Sequence, residues 1–232
     1  HYPLRRQRQM CIRDSYLAFF QGGSAPSTTI EAGSLAAEAS YIVFTDGTNT
    51  YARNGSTGAI DYSDTDAATV IQSAIDALTS GGKIFIEKGT YLLNSRTLVA
   101  GGIYGAIVPL GRLILQGEGR DSTILRVANG LSTCAIAGKV DVNYLQIEDL
   151  QIDGNRANNP DGGVDGNQAG IYIGATVGFT NDLHIFKNLK LVNNPREGIY
   201  VGAVSSYCCL ENIYAENNGL DGILLDDVYY AT

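Results

Sequence analysis

The sequence predicts an all-β fold in which short parallel strands stack in successive turns of a solenoid, preceded by one α-helix. Three observations support this fold class. A nine-residue pattern occurs three times in the second half of the chain, a Gly-Ile motif follows each copy, and the main spacing is 24 residues. Before these repeats, only residues 66–79 show convincing helical periodicity. A period of this length, with three short strands and no helix, indicates turns that bury apolar side chains against each other.

The repeated pattern has Asp or Asn at its third position in IEDLQIDGN (147–155), FKNLKLVNN (186–194) and LENIYAENN (210–218). These residue types suit a bend in the left-handed backbone region, and stacked amides at such bends form hydrogen-bonded ladders. Asn188 and Asn212 are 24 residues apart, whereas Asp149 and Asn188 are 39 apart, so RANNPDGGVDGNQ (156–168) is interpreted as a loop insertion. We expect these residues after the bends to point into the core: Leu150, Leu189, Ile213, Ile152, Leu191 and Ala215.

The Gly-Ile motifs GIYIG (170–174), GIYVG (198–202) and GILLD (222–226) supply a further strand of each turn. Side chains alternate along a strand, so the apolar positions are expected inside: Ile171, Ile173, Ile199, Val201, Ile223 and Leu225. Tyr172, Tyr200 and Leu224 then face outward, and we call this outward series the tyrosine face.

The region before the repeats predicts a hairpin and a helix. YIVFTDGTNTYARNG (41–55) alternates around Asp46-Gly47, which is a hairpin signal. In DTDAATVIQSAIDALTSGGK one helical face is apolar, with Thr65 or Asp66 as the expected N-cap and Gly81-Gly82 as the expected end. The predicted organisation is an N-terminal segment with the hairpin (16–60), a capping helix (61–82) and the coils (83–232).

Residues 1–15 are interpreted as non-native. RRQRQMCIRDS (5–15) matches, without a gap, an in-frame translation of a transposon-type sequencing adaptor. The gene is then expected to come from a shotgun fragment, and a native signal peptide would not be observable. The chain stops at DDVYYAT, just after a predicted strand, so we also expect the coils to be truncated at the C-terminus.

Charge and hydropathy argue against nucleic acid as a partner and against a membrane-spanning helix. The chain has 16 Lys+Arg against 24 Asp+Glu, a formal net charge of -8. An acidic surface disfavours nucleic acid, because that binding depends on neutralising phosphates. No apolar run approaches the ~18 residues of a membrane span. Outside the first fifteen residues the cysteines are Cys134, Cys208 and Cys209, which make no disulfide framework and are expected to be buried apolar groups.

The helix followed by Gly-Gly, the strand KGTYLL, the segment LILQGEGRDSTIL and the Asn-marked coils resemble the pectate-lyase-like, right-handed parallel β-helix superfamily over residues 60–232. The resemblance implies a right-handed solenoid whose open N-terminal end is covered by the helix. It also implies an extracellular, cell-surface or virion location and a polysaccharide partner. That partner would lie in a groove along the tyrosine face, with the 156–168 loop as a wall.

The candidate substrate-binding residues are Tyr172, Tyr200, Arg196 and Asp165. The two tyrosines suit packing on sugar rings, and the alternative is aromatic stacking that only stabilises the sheet. Arg196 suits the carboxylate of a uronate, and the alternative is an exposed ion pair. Asp161 and Asp165 are also candidate Ca²⁺ ligands, because calcium takes roughly 6–8 oxygen ligands. The loop spacing matches no EF-hand, so a plain surface loop is the alternative, and no other cofactor is expected.

Asp226 and Asp227 form the candidate catalytic pair, because glycoside hydrolysis uses two carboxylates. Neighbours in a strand face opposite ways unless a bend intervenes, so a solvated strand end is the alternative. The Asn-Thr-Asp and Gly-His-Gly motifs of polygalacturonases and the Trp-x-Asp-His segment of pectate lyases do not occur in the sequence.

Two functions therefore remain open. One is a polysaccharide lyase or glycoside hydrolase whose active site lies largely beyond Thr232. The other is a non-catalytic glycan-binding or structural β-helix, such as a phage tailspike or surface adhesin, with a homotrimer expected in the tailspike case.

Overall fold

The computed structural model of this chain describes residues 39–138, 142–161, 168–174 and 181–228. The segment interpreted as non-native (1–15) and the predicted site residue Asp165 lie outside these ranges. No helix among the described residues has the length and apolarity needed to cross a membrane.

The described elements are, in chain order, β1 (Tyr41–Thr45), β2 (Thr50–Asn54), β3 (Ile60–Asp64), α1 (Ala67–Asp76), β4 (Gly82–Ile86), β5 (Gly89–Leu93), β6 (Thr97–Ala100), β7 (Ile103–Ile107), β8 (Leu113–Gly117) and β9 (Thr123–Val127). They continue with β10 (Cys134–Gly138), β11 (Gln146–Glu148), β12 (Gln151–Asp153), β13 (Ile171–Gly174), β14 (Asn181–Lys187), β15 (Lys190–Val192), β16 (Ile199–Glu211), β17 (Tyr214–Glu216) and β18 (Ile223–Val228). The predicted hairpin is confirmed, since β1 and β2 pair in antiparallel fashion around the Asp46-Gly47 turn.

Parallel strands form three rows. The first row runs β4–β8–β11–β14 and ends on the second half of β16, and the second runs β5–β9–β12–β15–β17. The third runs β7–β10–β13, the first half of β16, and β18. The chain visits the rows in one order, as β7, β8, β9, then β10, β11, β12, then β13, β14, β15. The prediction of a mostly β fold with parallel sheets and one helix is confirmed for the described residues.

Apolar side chains at paired positions fill the space between the rows. Each row contributes one column of paired residues that are at most 1% exposed: Ile84, Leu115, Ile147 and Phe186; Tyr91, Leu125, Ile152 and Leu191; Ile107, Ile136, Ile171 and Ile199. Burying one such side chain contributes about 1.5–3 kcal/mol. Ala215, expected in the core, pairs with Leu191 but is exposed, because no described strand covers the far side of β17.

Asparagine side chains connect successive bends, as predicted. Asp149, Asn188 and Asn212 all have positive φ, between 50° and 57°. Asn188 Nδ2 donates to Asp149 Oδ1 at 2.9 Å, and Asn212 Nδ2 donates to Asn188 Oδ1 at 2.8 Å. A second series at Asn155, Asn193 and Asn217 also has positive φ, with Asn217 Nδ2 donating to Asn193 Oδ1 at 2.6 Å. The first series therefore repeats both the backbone geometry and the hydrogen bond at each step, whereas in the second series Asn193 Nδ2 donates to Asp153 Oδ1 at 3.3 Å.

Helix α1 begins at the predicted cap but ends earlier than predicted. Asp66 is the N-cap and accepts from the backbone N–H of Ala68 at 3.0 Å and of Asn94 at 2.8 Å. The helix stops at Asp76, five residues before Gly81, because the Leu78 N–H bonds back to the Ile75 carbonyl and closes the last turn. The buried face of α1 belongs to the same core as the strand columns.

A side chain of the helix satisfies the backbone of the third row. Gln72 Oε1 accepts from the Val108 N–H at 2.8 Å, and Gln72 Nε2 donates to the Val108 carbonyl at 3.1 Å. The amide thus takes the place of a neighbouring strand just after β7, and buried backbone groups need such partners.

Candidate functional site

The outward residues of the third row form an aromatic stack. Tyr172 on β13 and Tyr200 on β16 are paired residues, and their ring centroids lie 4.9 Å apart with planes 4° from parallel. Ala137 precedes Tyr172 in the row and Leu224 follows Tyr200. The predicted alternation is therefore present on these strands, and the two ring faces that meet are already in contact with each other.

Each tyrosine ring lies across the glycine two residues further along its strand. A Cβ atom built at Gly174 would overlap the Tyr172 hydroxyl, and one built at Gly202 would lie 2.5 Å from Tyr200 Oη. Each tyrosine ring therefore covers a strand position that has no side chain, and at Gly202 this brings the Tyr200 hydroxyl beside Asp226 on the next strand.

Asp226 lies on β18, two residues after Leu224, and its side chain is exposed. It pairs with Gly202, and its Oδ2 accepts from Tyr200 Oη at 3.2 Å. Burial, followed by this hydrogen bond and the nearby carboxylate charge, raises the pKa of Tyr200 to about 12. At neutral pH the phenol is therefore protonated, and a hydroxyl and an exposed carboxylate stand side by side on the outer surface.

Asp227 is the second predicted catalytic carboxylate. Asp226 and Asp227 are consecutive in β18, and the pairing of β18 with β16 becomes irregular just after Gly202. The side chain of Asp227 lies outside the described part of the chain. The assignment of Asp226 and Asp227 as a catalytic pair stays a prediction.

An ion pair connects the 156–168 loop to the turn before β16. Arg196 Nη1 lies 3.3 Å from Asp161 Oδ2, and Arg196 Nε lies 3.7 Å from Glu197 Oε2. Arg196 thus already faces two carboxylates, one on the loop and one on its own turn. Its predicted role against a sugar carboxylate stays a prediction, as does that of Asp165, which is not described.

Glu197, next to Arg196 in the chain, is a buried carboxylate. Its side chain is 3% exposed, and Oε2 has no hydrogen-bond partner among the described residues besides the long contact with Arg196. Buried Asn159 and Asn194 likewise have an amide oxygen without a hydrogen-bond partner in the described ranges. The sequence signal of Glu197 is a charged residue immediately before a buried Gly-Ile strand.

The described residues contain no group of three His, Cys, Asp or Glu side chains that could hold a metal ion. Asp161, one of the two predicted calcium ligands, faces Arg196, and Asp165 lies outside the described ranges. Calcium binding by the loop stays a prediction.

The predicted burial of Cys134 and Cys208 is confirmed, and burial raises the pKa of each thiol to about 12. His184 is fully buried beside Phe186.

The stacked parallel strands and the Asn-marked bends agree with the resemblance to the pectate-lyase-like β-helix superfamily. Comparison with models of protein families finds no match, and comparison with curated proteins finds none either.

Among solved structures, the chain is similar to the A-module of the mannuronan C-5 epimerase AlgE4 from Azotobacter vinelandii, with 21% identity, a TM-score of 0.49, and coverage of 69% of this chain and 49% of that one. It is also similar to ORF18 of Geobacillus virus E2, with 16% identity, a TM-score of 0.45, and coverage of 68% and 32%. A third is the catalytic unit of a GH87 α-1,3-glucanase from Streptomyces thermodiastaticus, with 16% identity, a TM-score of 0.43, and coverage of 69% and 30%. The chain spans about half the length of the epimerase module, and similarities at this level assign no activity.

Proposed function

We propose that this chain is part of an extracellular, carbohydrate-active protein that binds polysaccharide along the tyrosine face. In this proposal the three rows are the sheets of a right-handed parallel β-helix, and α1 caps its N-terminal end. The observation that carries the proposal is the arrangement of Tyr172, Tyr200 and Asp226 on three adjacent strands, with the Tyr200 hydroxyl 3.2 Å from the Asp226 carboxylate.

The tyrosine face matches the chemistry of a sugar chain. Aromatic rings suit the apolar C–H faces of sugars, and hydroxyl and carboxylate groups suit sugar hydroxyls. Polar atoms on neighbouring parallel strands repeat about every 4.8 Å, so an extended polymer meets similar groups at regular intervals. The Arg196–Asp161 ion pair supports one side of this surface by holding the loop against the turn before β16.

For the reaction, we propose a polysaccharide lyase or a glycoside hydrolase, with Asp226 as one of the acidic groups. A hydrolase needs a second carboxyl group about 5–5.5 Å away for retention or about 6.5–9.5 Å away for inversion. Asp227, or a residue outside the described ranges, would supply it.

A non-catalytic glycan-binding or structural protein is the second candidate, and one observation favours it. The tyrosine rings stack on each other and lie over Gly174 and Gly202, so the faces that meet are used within the protein. Aromatic pairs across neighbouring strands stabilise a sheet without any ligand. A tailspike-like homotrimer would belong to this second candidate.

A polysaccharide panel with two readouts tests both candidates. Binding is measured by affinity electrophoresis, and reaction is measured by the absorbance of unsaturated uronates and by new reducing ends. We expect Tyr200→Ala to weaken binding, whereas Tyr214→Ala, which removes an exposed tyrosine from the second row, leaves it unchanged. Retained binding without any product favours the non-catalytic candidate, and a trimeric mass by light scattering strengthens it. No binding to any acidic or neutral polysaccharide contradicts the proposal.

A further inference from the structure

A surface pocket of about 480 Å³ lies where the second-row strands end, and it shares no lining residue with the tyrosine face. Its walls come from the ends of β9 and β12, the bends after β15 and β17, and the start of the 156–168 loop. Most lining side chains are arginines and asparagines: Arg126, Arg156, Asn155, Asn158, Asn193 and Asn217. Asp153 is the acidic residue among them.

The carboxylate of Asp153 is fully engaged by its neighbours. Oδ1 accepts from the backbone N–H of Asn155 at 2.9 Å and from Asn193 Nδ2 at 3.3 Å. Oδ2 lies 3.7 Å from Arg126 Nε, and the same guanidinium donates through Nη2 to Asn155 Oδ1 at 3.3 Å. Because Arg126 balances this carboxylate, Asp153 does not make the pocket acidic.

Arg156 contributes a positive charge that no carboxylate of the described residues balances. Its side chain is exposed, and none of the described residues forms an ion pair with its guanidinium. The chain as a whole is acidic, with a formal net charge of -8. A guanidinium at a pocket wall is a planar, multiple donor that suits the oxygens of a carboxylate or sulfate.

Two asparagines supply acceptors in the same pocket. Asn158 Nδ2 donates to Asn155 Oδ1 at 2.8 Å, and Asn217 Nδ2 donates to Asn193 Oδ1 at 2.6 Å. These bonds fix the orientation of both amides. The amide oxygens of Asn158 and Asn217 accept no hydrogen bond from any described residue, so they are available to hydroxyl donors of a ligand.

We propose that this pocket binds a saccharide that carries an anionic group, either a carboxylate or a sulfate. The anionic group lies against Arg156 and the outer N–H groups of Arg126, and the sugar hydroxyls donate to Asn158 and Asn217. A bare anion would contact only the arginines and would leave most of the pocket unfilled. The pocket volume is within the range of roughly 300–1,000 Å³ that is usual for sites of organic ligands. The site is separate from the tyrosine face, so it stands or falls independently of the proposed function there.

Isothermal titration of the full chain tests this site with four probes: glucuronate, a glucose sulfate, glucose and inorganic sulfate. We expect both charged sugars to bind, with glucose and inorganic sulfate at least about tenfold weaker. The Arg156→Gln variant should weaken binding of the charged sugars about tenfold, as expected for the loss of one charge-assisted contact. Arg112→Gln is the matched control, because Arg112 lies in a different surface pocket with Tyr144.

Each arm has an outcome that overturns part of the assignment. Equal binding of glucose contradicts the role of the charge, and equal binding of inorganic sulfate contradicts the role of the sugar. Equal losses in Arg156→Gln and Arg112→Gln indicate a general charge effect and also contradict the site, as does no binding of any probe. Since Arg156 is exposed, thermal unfolding followed by circular dichroism should show both variants folded.

Discussion

Tyr172 and Tyr200 are paired on adjacent parallel strands, with ring centroids 4.9 Å apart and ring planes 4° from parallel. Each ring also covers a glycine on its own strand. One side chain thus contributes to two contacts, one along the strand and one across it.

Substituting the covered glycine should displace the ring. We expect Gly202→Val to lower the free energy of unfolding by about 1–3 kcal/mol, because the new side chain overlaps Tyr200. The double variant Tyr200→Ala/Gly202→Val isolates the cause in a double-mutant cycle of urea unfolding. If the ring is the obstacle, the double variant loses less than the sum of the two single losses. Additive losses would mean that the glycine is needed for another reason.

Stability should depend on the protonation of Tyr200 at high pH. Burial, the hydrogen bond to Asp226 and the Asp226 charge raise the pKa of Tyr200 from 10.0 to about 12. The folded state therefore holds this proton more firmly than the unfolded state. The resulting stability is fully present below about pH 10 and is lost as the pH rises toward about 12.

A phenolate absorbance titration checks this assignment. In Asp226→Asn the pKa of Tyr200 should fall but stay above 10.0, because burial, the largest cause, remains. Asp61→Asn is a matched control, since Asp61 accepts from Tyr41 at 2.8 Å and not from Tyr200. A spectral change in Asp226→Asn that persists in a Tyr200→Phe background would come from another tyrosine and contradict the assignment.

The asparagine bends should stabilise the folded state through both their backbone conformation and their side-chain hydrogen bonds. Asn188 has φ of 50° and makes ladder hydrogen bonds with Asp149 and Asn212. Asn188→Gly keeps a residue that tolerates this φ and loses only the hydrogen bonds, at a cost of about 1–3 kcal/mol. Asn188→Ala should cost about 1–2 kcal/mol more, because a left-handed backbone is unfavourable for alanine. Equal midpoints of urea unfolding for the two variants would contradict the backbone contribution.

The free-energy cost of burying the Glu197 carboxylate should depend on the presence of Arg196. Arg196→Gln leaves this carboxylate without a cation, and we expect a loss of about 1–3 kcal/mol in urea unfolding. The double variant Arg196→Gln/Glu197→Gln removes the carboxylate as well, so part of the lost stability should be recovered. Asp161→Asn is a control that removes only the exposed partner of Arg196 and should cost about 0–1 kcal/mol. A double variant less stable than Arg196→Gln would contradict the dependence.

The bends that carry a chemical signal could be predicted from the sequence, and the bends that carry none could not. Asn188 and Asn212 were predictable, because asparagine tolerates positive φ. A further series before or within the first-row strands also has positive φ, near 60°, at Arg112, Tyr144, Leu183 and Tyr207. These residue types carry no preference for that conformation, and tertiary stacking alone imposes it.

The candidate site was predictable in its pattern and not in its contacts. Alternation along the strand placed Tyr172 and Tyr200 outward, but the direction of each ring depends on a rotamer that spacing does not specify. The burial of Glu197 depends on how the loop and the turn pack together, and a long loop gives no periodic signal.

Disulfide formation between Lys190→Cys and Tyr214→Cys tests the central claim, the 24-residue stacking, most directly. These residues are paired on β15 and β17, so their Cα atoms should lie about 4.8 Å apart, within the range of a disulfide. We predict an intramolecular link between positions 190 and 214 by peptide mapping after mild oxidation. The control Lys190→Cys/Glu216→Cys shifts one partner by about 6.6 Å along the strand and should stay reduced. A link in the control and not in the matched pair would contradict the stacking.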